Sequence, residues 1–286
     1  MARARRTPAV AVVTDSTAYL PSGAADAMGV RVVPLQVILG GGVRAEGSEI
    51  GPGEVAEALR GGQAVSTSRP SPTLFAATYR EAFAAGASSV VSVHISAEMS
   101  GTLDAARLGA LDVDGDVRVV DSRSVGMGMG FAVLAGAEAA RAGADADAVV
   151  DAVHRTLAAT EAFFYVDTLE FLRRGGRIGA ARALLGSALS VKPLLRVSNG
   201  RIEPLERVRT SARAMARLQD IAVEAADDDP VAVAVHHLAA ATRADELAQA
   251  LDLRLPKLDE LVITEVGAVV GAHTGPGMLA VVICKR

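Results

Sequence analysis

Along the chain, short runs of consecutive apolar residues alternate with stretches whose apolar positions recur every three to four residues. Residues 9–14 form a run of the length of a buried strand, closed by Asp15 and Ser16. Residues 21–28 carry helical spacing, with Gly29 as a stop. A strand is predicted over 30–39, ended by Gly40-Gly41-Gly42, and a helix over 52–60, stopped by Gly61-Gly62. Residues 66–71 form a polar loop. There Ser71 before Pro72 is an N-cap signal that opens a helix over 72–85. A strand at 89–95, a loop at 96–100, a helix from Gly101 and a strand at 117–120 follow, the last ending in Asp121-Ser122. Alanine-rich helices are predicted over 131–141 and 146–159. Strands separated by helices of this length imply βαβ units and a mainly parallel sheet.

The pattern changes near residue 160. A strand at 162–166, a helical turn at 169–174 running into Gly175-Gly176, and a helix at 180–189 are predicted. Segments 191–197 and 201–208 flank Asn199-Gly200, which signals an antiparallel hairpin. A helix at 211–226, a strand at 231–235, a helix near 243–251 and strands at 261–266 and 279–284 complete the chain. These patterns predict an α/β fold in two domains. Residues 1–160 would form an N-terminal, mainly parallel αβα domain, and residues 161–286 a C-terminal α+β domain. No Pro- or Ser-rich linker separates the halves, so close packing is expected.

Composition narrows the function classes. Only 3% of residues are aromatic and tryptophan is absent, which leaves few rings for stacking single-stranded bases. Net charge is −4 without a long basic run, which speaks against duplex DNA. The single cysteine, Cys284, excludes an intrachain disulfide and a cysteine zinc cluster. It stands in an apolar run and reads as a small buried hydrophobe. Arg3, Arg5 and Arg6 resemble a signal-peptide start, but the apolar run over 9–13 is too short for a hydrophobic core and Asp15 ends it. No stretch approaches the ~18 apolar residues of a membrane span. A cytoplasmic protein with at most transient membrane contact is expected.

Gly126-Met-Gly-Met-Gly130 lacks the dinucleotide-binding spacing and reads as an entry into a helix. Neither a Walker A sequence nor a nucleophile elbow is present. His236 and His237 are adjacent at a strand end, so they point to opposite faces and cannot chelate one metal. No metal or cofactor is expected. Four segments remain: Thr67-Ser68-Arg69-Pro70-Ser71, residues 96–102, Gly175-Gly176-Arg177-Ile178, and residues 271–277 with His273. Each is a turn or helix start that is rich in hydroxyls or carries a cationic donor. Converging on one point, they would bind an anion. Singly, each has a plain structural use: Ser68, Ser71 or Ser100 as a helix cap, Arg177 as a surface charge, His273 as a brace in a Gly-Pro turn.

In order along the chain, Asp15-Ser16-Thr17, Thr67-Ser68-Arg69-Pro70-Ser71, Ser100-Gly101-Thr102, the 169–178 segment ending Gly-Gly-Arg-Ile, Lys192-Pro193-Leu194-Leu195, Arg209-Thr210 and Gly271-x-His273-x-Gly-Pro-Gly277 resemble the motifs of the DegV family. That family includes the lipid-carrying subunits of bacterial fatty acid kinase. The resemblance implies two α/β domains that bury a long-chain fatty acid. The chain would be a carrier rather than an enzyme, holding the fatty acid as its ligand for a separate catalytic kinase subunit that phosphorylates the carboxylate. Position by position, it implies Thr67, Ser68, Ser100 and His273 as carboxylate donors. It implies Arg177 and Arg209 as basic residues near the head group or at a kinase-docking face, and Arg69 lies beside them. Arg69 stands in place of the family's glutamine, and Ala97 in place of a serine. Two other readings stay open: a site for another small anion, such as a phosphorylated metabolite, and a serine hydrolase. The hydrolase would use Ser100 or Ser68 as nucleophile, His273 as base and Asp15 or Asp121 as its orienting group.

Overall fold

The computed structural model describes residues 9–184 and 192–286. The first half contains β1 (Val10–Asp15), α1 (Ala24–Met28), β2 (Arg31–Val33), β3 (Gln36–Leu39), β4 (Gly42–Ala45), α2 (Pro52–Arg60), β5 (Val65–Ser68), α3 (Pro72–Ala84), β6 (Ser89–His94), α4 (Thr102–Leu111), β7 (Asp116–Asp121), α5 (Met127–Arg141) and α6 (Ala146–Ala158). The second half contains β8 (Thr160–Tyr165), α7 (Glu170–Arg174), β9 (Lys192–Ser198), β10 (Arg201–Val208), α8 (Ser211–Ala226), β11 (Val231–His237), α9 (Ala241–Arg254), β12 (Leu258–Glu265), α10 (Ala268–Thr274) and β13 (Leu279–Lys285).

The α/β class expected from the pattern is observed as a parallel sheet and a separate mixed sheet. The parallel sheet has the order β2-β1-β6-β7. Every residue of β1 and β6 is buried, as a sheet covered on both faces requires. Val10, Val12, Val91 and Val93 face α5 and α6, whereas Ala11, Val13 and Val90 face α3 and α4. The mixed sheet has the order β10-β9-β8-β13-β11-β12, with only the β11–β12 pair parallel. Along β13, Leu279, Val281 and Ile283 pack under α8 and α9. Ala280, Val282 and Cys284 face the other way, toward the parallel-sheet half. On that inner face the side chains are small, and Met127 and Phe131 of α5 pack against Ala232, Ala234, Val282 and Cys284. Helix α5 thus covers both sheets. Where it ends, the small inner side chains leave space.

A third sheet, β4-β3-β5, is antiparallel and lies against α2 and α10. It differs from the expectation of one strand over 30–39. Pro34 has no N–H to continue a ladder, so the chain leaves the parallel sheet there and re-enters as β3. Gly40 and Gly41, at φ 61° and 82°, make a hairpin turn into β4 rather than an end. The expected polar loop at 66–71 begins as β5, a polar edge strand. Helix α5 starts at Met127, earlier than predicted, and α10 occupies part of a segment read as a turn. The Asn199-Gly200 hairpin is present, with both residues at positive φ (50° and 79°) as a type I′ turn needs. Of the helix predicted over 180–189, a 3-10 turn spans Gly179–Leu184. The rest of it, the first residue of the strand at 191–197, and Arg3, Arg5 and Arg6 lie outside the described residues. Among the described residues no helix is long and apolar enough to cross a membrane.

Candidate functional site

A cavity of ≈ 260 Å³ lies between the inner face of the mixed sheet and the loops at the carboxyl edge of the parallel sheet. Open sheets of this kind place ligands at that edge. Its deep part is walled by Gly126, Ala162, Phe164, His236, Ala280 and Val282. Its outer end is lined by Thr67, Ser68, Arg69, Ser100, Arg177 and His273. Ser68, Arg69 and Arg177 are exposed, which makes this end the mouth.

The four segments singled out by the sequence meet here, each touching the next. Thr67, the next-to-last residue of β5, places Oγ1 2.8 Å from Nε2 of His273 on α10. The Nδ1 side of the imidazole lies against Gly175, where any side-chain carbon would collide with it. Arg177 donates from Nη1 to the Gly175 carbonyl at 2.6 Å and from Nε to the Met99 carbonyl at 3.0 Å. Ser100 Oγ lies 2.8 Å from Thr102 Oγ1 and accepts from the Thr102 N–H at 3.3 Å. Arg69 folds back over Gly101, with Nη1 2.6 Å from where a Cβ would stand. The contacts close a ring around the mouth. Arg209 is not part of it: it precedes Thr210, the N-cap of α8, on the helix-covered side of the mixed sheet.

Burial, with the Arg177 charge adding to it, pulls the His273 pKa from about 6.5 down to about 4. The ring is therefore neutral at pH 7. With Nε2–H donating to Thr67, the Thr67 hydroxyl proton is free to meet a ligand oxygen. Nδ1 is buried with no hydrogen-bond partner among the described residues. His236, at the deep end, accepts from the Met127 N–H at 2.9 Å through Nε2, so its own proton sits on Nδ1, 2.7 Å from Thr264 Oγ1. Burial pulls its pKa to about 4 as well.

Both shifts have one sign. Unfolded imidazoles take up protons near pH 6.5, whereas the folded ones resist until about pH 4. Stability is therefore full above pH 6.5 and falls as the pH drops through that window. The expected loss between pH 7 and pH 5 is up to about 2 kcal/mol per ring. Urea unfolding at the two pH values checks it. An unchanged midpoint would contradict the burial of these rings.

Sequence reasoning missed the pin that holds α10. Glu46 Oε1 accepts from the Val269 N–H at 2.7 Å and the Tyr19 hydroxyl at 3.1 Å, and Oε2 accepts from Ser16. Tyr19 in turn accepts from the Val270 N–H at 3.1 Å. Burial pushes both the Glu46 carboxyl and the Tyr19 phenol up. The pin anchors the first turn of the helix whose last turn carries His273, and Tyr19 also lines the cavity. Nothing in the sequence around Glu46 separates it from a surface glutamate.

The hydrolase reading needs a nucleophile on the base and an orienting acid behind it. Asp15 is bound by His94 at 3.0 Å and by the Thr17 and Ile95 N–H groups. Asp121 accepts from the Ala97 and Arg123 N–H groups. Neither carboxylate reaches His273, and Ser100 is paired with Thr102 instead.

Residues 9–286 match the family described as "Uncharacterised protein, DegV family". A DegV domain-containing protein of Streptomyces coelicolor is 55% identical over 277 residues, covering 97% of this chain and 99% of the relative. The structure of a DegV family protein from Thermus thermophilus, described for its fatty acid binding, superposes with a TM-score of 0.92 at 36% identity, covering 97% and 99% of the two chains. DegV of Bacillus subtilis, described as a fatty acid binding protein, superposes with a TM-score of 0.88 at 31% identity, again over 97% and 99%. With the match running through both sheets and through every segment of the ring, this chain belongs to the DegV family.

Proposed function

We propose that this chain binds one long-chain fatty acid and presents its carboxylate to the catalytic subunit of a fatty acid kinase. The observation that carries the reading is the polarity of the cavity: an apolar body that ends in one ring of donors. Relatives described as fatty acid binding proteins share the fold throughout. Burying a methylene is worth about 0.8 kcal/mol, so a tail of ~15 methylenes grosses ~12 kcal/mol before ordering costs. The tail supplies affinity and the ring supplies orientation. A carboxylate is costly to desolvate unless donors meet it; Thr67, Ser68 and Ser100 offer hydroxyls, and the neutral His273 orients the Thr67 hydroxyl toward it. Held there, a carboxylate oxygen attacks the γ-phosphorus of ATP on the partner. The new C(O)–O–P linkage forms as the bond to ADP breaks. Arg209 lies on another face, where contact with the kinase is the role left to it. Another small anion is the second reading, but it has no use for the apolar body.

The test uses delipidated protein and two probes, hexadecanoate and methyl hexadecanoate. Thr67→Val, Ser100→Ala and His273→Ala should each weaken hexadecanoate about tenfold, the worth of one hydrogen bond to a charged group. The uncharged ester should change little. Equal losses for acid and ester would remove the carboxylate from the ring. With a fatty acid kinase subunit and ATP, acyl phosphate formation should fall in the same variants.

A further inference from the structure

Behind Tyr19 lies a second cavity, of ≈ 370 Å³. Leu20, Pro21, Val32, Ile50, Pro52 and Ala268 give it apolar walls, and it is open to water, with Val32 43% exposed. Tyr19 is the one described residue that lines both this cavity and the tail cavity. Its ring stands edge-on to His236 at the deep end of the tail cavity, with centroids 6.3 Å apart. The ring also lies against Gly267, where a Cβ would stand 2.6 Å from Cε1. A glycine offers no side chain, so the phenol ring is the side chain that parts the two spaces. Backbone and hydroxyl both fix it there. The backbone is in the left-handed region, at φ 46° and ψ 47°, which is uncommon for a residue with a side chain. The hydroxyl donates to Glu46 Oε1 and accepts from the Val270 N–H, each at 3.1 Å.

We propose that Tyr19 closes the deep end of the tail cavity and so sets the longest acyl chain this protein accepts. The inference rests on the fatty-acid reading and deepens it. With the carboxylate fixed at the mouth, a tail lengthens toward Tyr19. A chain that reaches the ring has no further room, and each added methylene pushes the carboxylate out past its donors. Losing one hydrogen bond to a charged group costs about tenfold in affinity. Without the ring, the extra methylenes would pass into the second cavity along Leu20 and Ile50, where each one fully buried is worth up to about fourfold. Glu46 lies on the same wall, but Ser16 and the Val269 N–H each engage one of its oxygens, so its carboxylate stays satisfied when Tyr19 is removed.

Displacement of a fluorescent fatty acid from the delipidated full chain, with hexadecanoate and docosanoate as competitors, tests this. Wild type should bind docosanoate at least about tenfold more weakly than hexadecanoate. Tyr19→Gly suits the left-handed backbone and removes the ring, so it should bind docosanoate as tightly as hexadecanoate or more tightly. Tyr19→Phe keeps the wall and loses both hydrogen bonds, so it should keep the wild-type length limit. Val32→Trp fills the second cavity from its exposed side, and added to Tyr19→Gly it should restore the preference for hexadecanoate. Hexadecanoate binding itself shows that each variant is folded. Three results overturn the proposal and leave fatty acid binding intact: a wild type that takes docosanoate as readily as hexadecanoate, a Tyr19→Gly ratio equal to that of wild type, or a length limit lost in Tyr19→Phe. A wild type that binds neither acid overturns both the proposal and the fatty-acid reading.

Discussion

Ala280→Phe is expected to empty the protein of fatty acid while leaving it folded. Ala280 is buried on β13 and faces the cavity, between Phe164 of β8 and His236 of β11, which are its register partners and also line the wall. A phenyl ring there takes up much of a ≈ 260 Å³ space that the tail would otherwise fill. Packing into a void gains the contacts that its lining lacks, so the delipidated variant should be as stable as delipidated wild type, or more stable by about 0.5–2 kcal/mol. Loaded wild type is stabilised by its ligand through mass action, and the variant forfeits that gain. Two readings check it: fatty acid per chain in the organic extract, and thermal unfolding of both delipidated proteins. A variant that keeps one fatty acid per chain would put the tail somewhere else.

Asp15→Ala is expected to be the most damaging single truncation for stability, about 3–5 kcal/mol. Asp15 is fully buried and accepts from the Thr17 N–H at 3.0 Å, the Ile95 N–H at 2.9 Å and the Thr17 hydroxyl at 2.5 Å, and it meets His94 Nδ1 at 3.0 Å. Beyond His94 the chain continues through Ser92 Oγ at 2.6 Å to the Tyr79 hydroxyl at 2.9 Å. Alanine leaves these groups buried without their partner. Urea unfolding should show a lower midpoint with an unchanged slope. A shift below about 1 kcal/mol would mean that water replaces the carboxylate. The arrangement has the residue types of a catalytic triad, yet Ser92, His94 and Asp15 are all inaccessible, so it binds strand ends together rather than a substrate.

The apolar strands were legible because burial is total: β1, β6 and β11 have no exposed position, so their signature is a valine- and alanine-rich run with no alternation, broken only by polar residues that are themselves buried, such as Ser92 and His94. The small sheet β4-β3-β5 was hidden for the opposite reason. Its strands are short, and only one side meets a core, so β5 has the composition of a loop. The four ring segments could be picked out because each gathers hydroxyls or one cationic donor at a turn or helix start, and the structure adds the steric reason for one of their glycines, Gly175 against the His273 ring. What the sequence could not convey was direction. Arg209 carries the same charge as Arg177, but the chain turns at the end of β10 onto the opposite face. The cavity itself was illegible. Ala162, Ala232, Ala234 and Ala280 read as an alanine-rich core until the register of three strands put them on one face.

The most direct test is to purify the protein without added lipid, denature it, and weigh the organic extract by mass spectrometry. The account predicts about one long-chain fatty acid per chain. An empty protein that also fails to take up added oleate or hexadecanoate would contradict it.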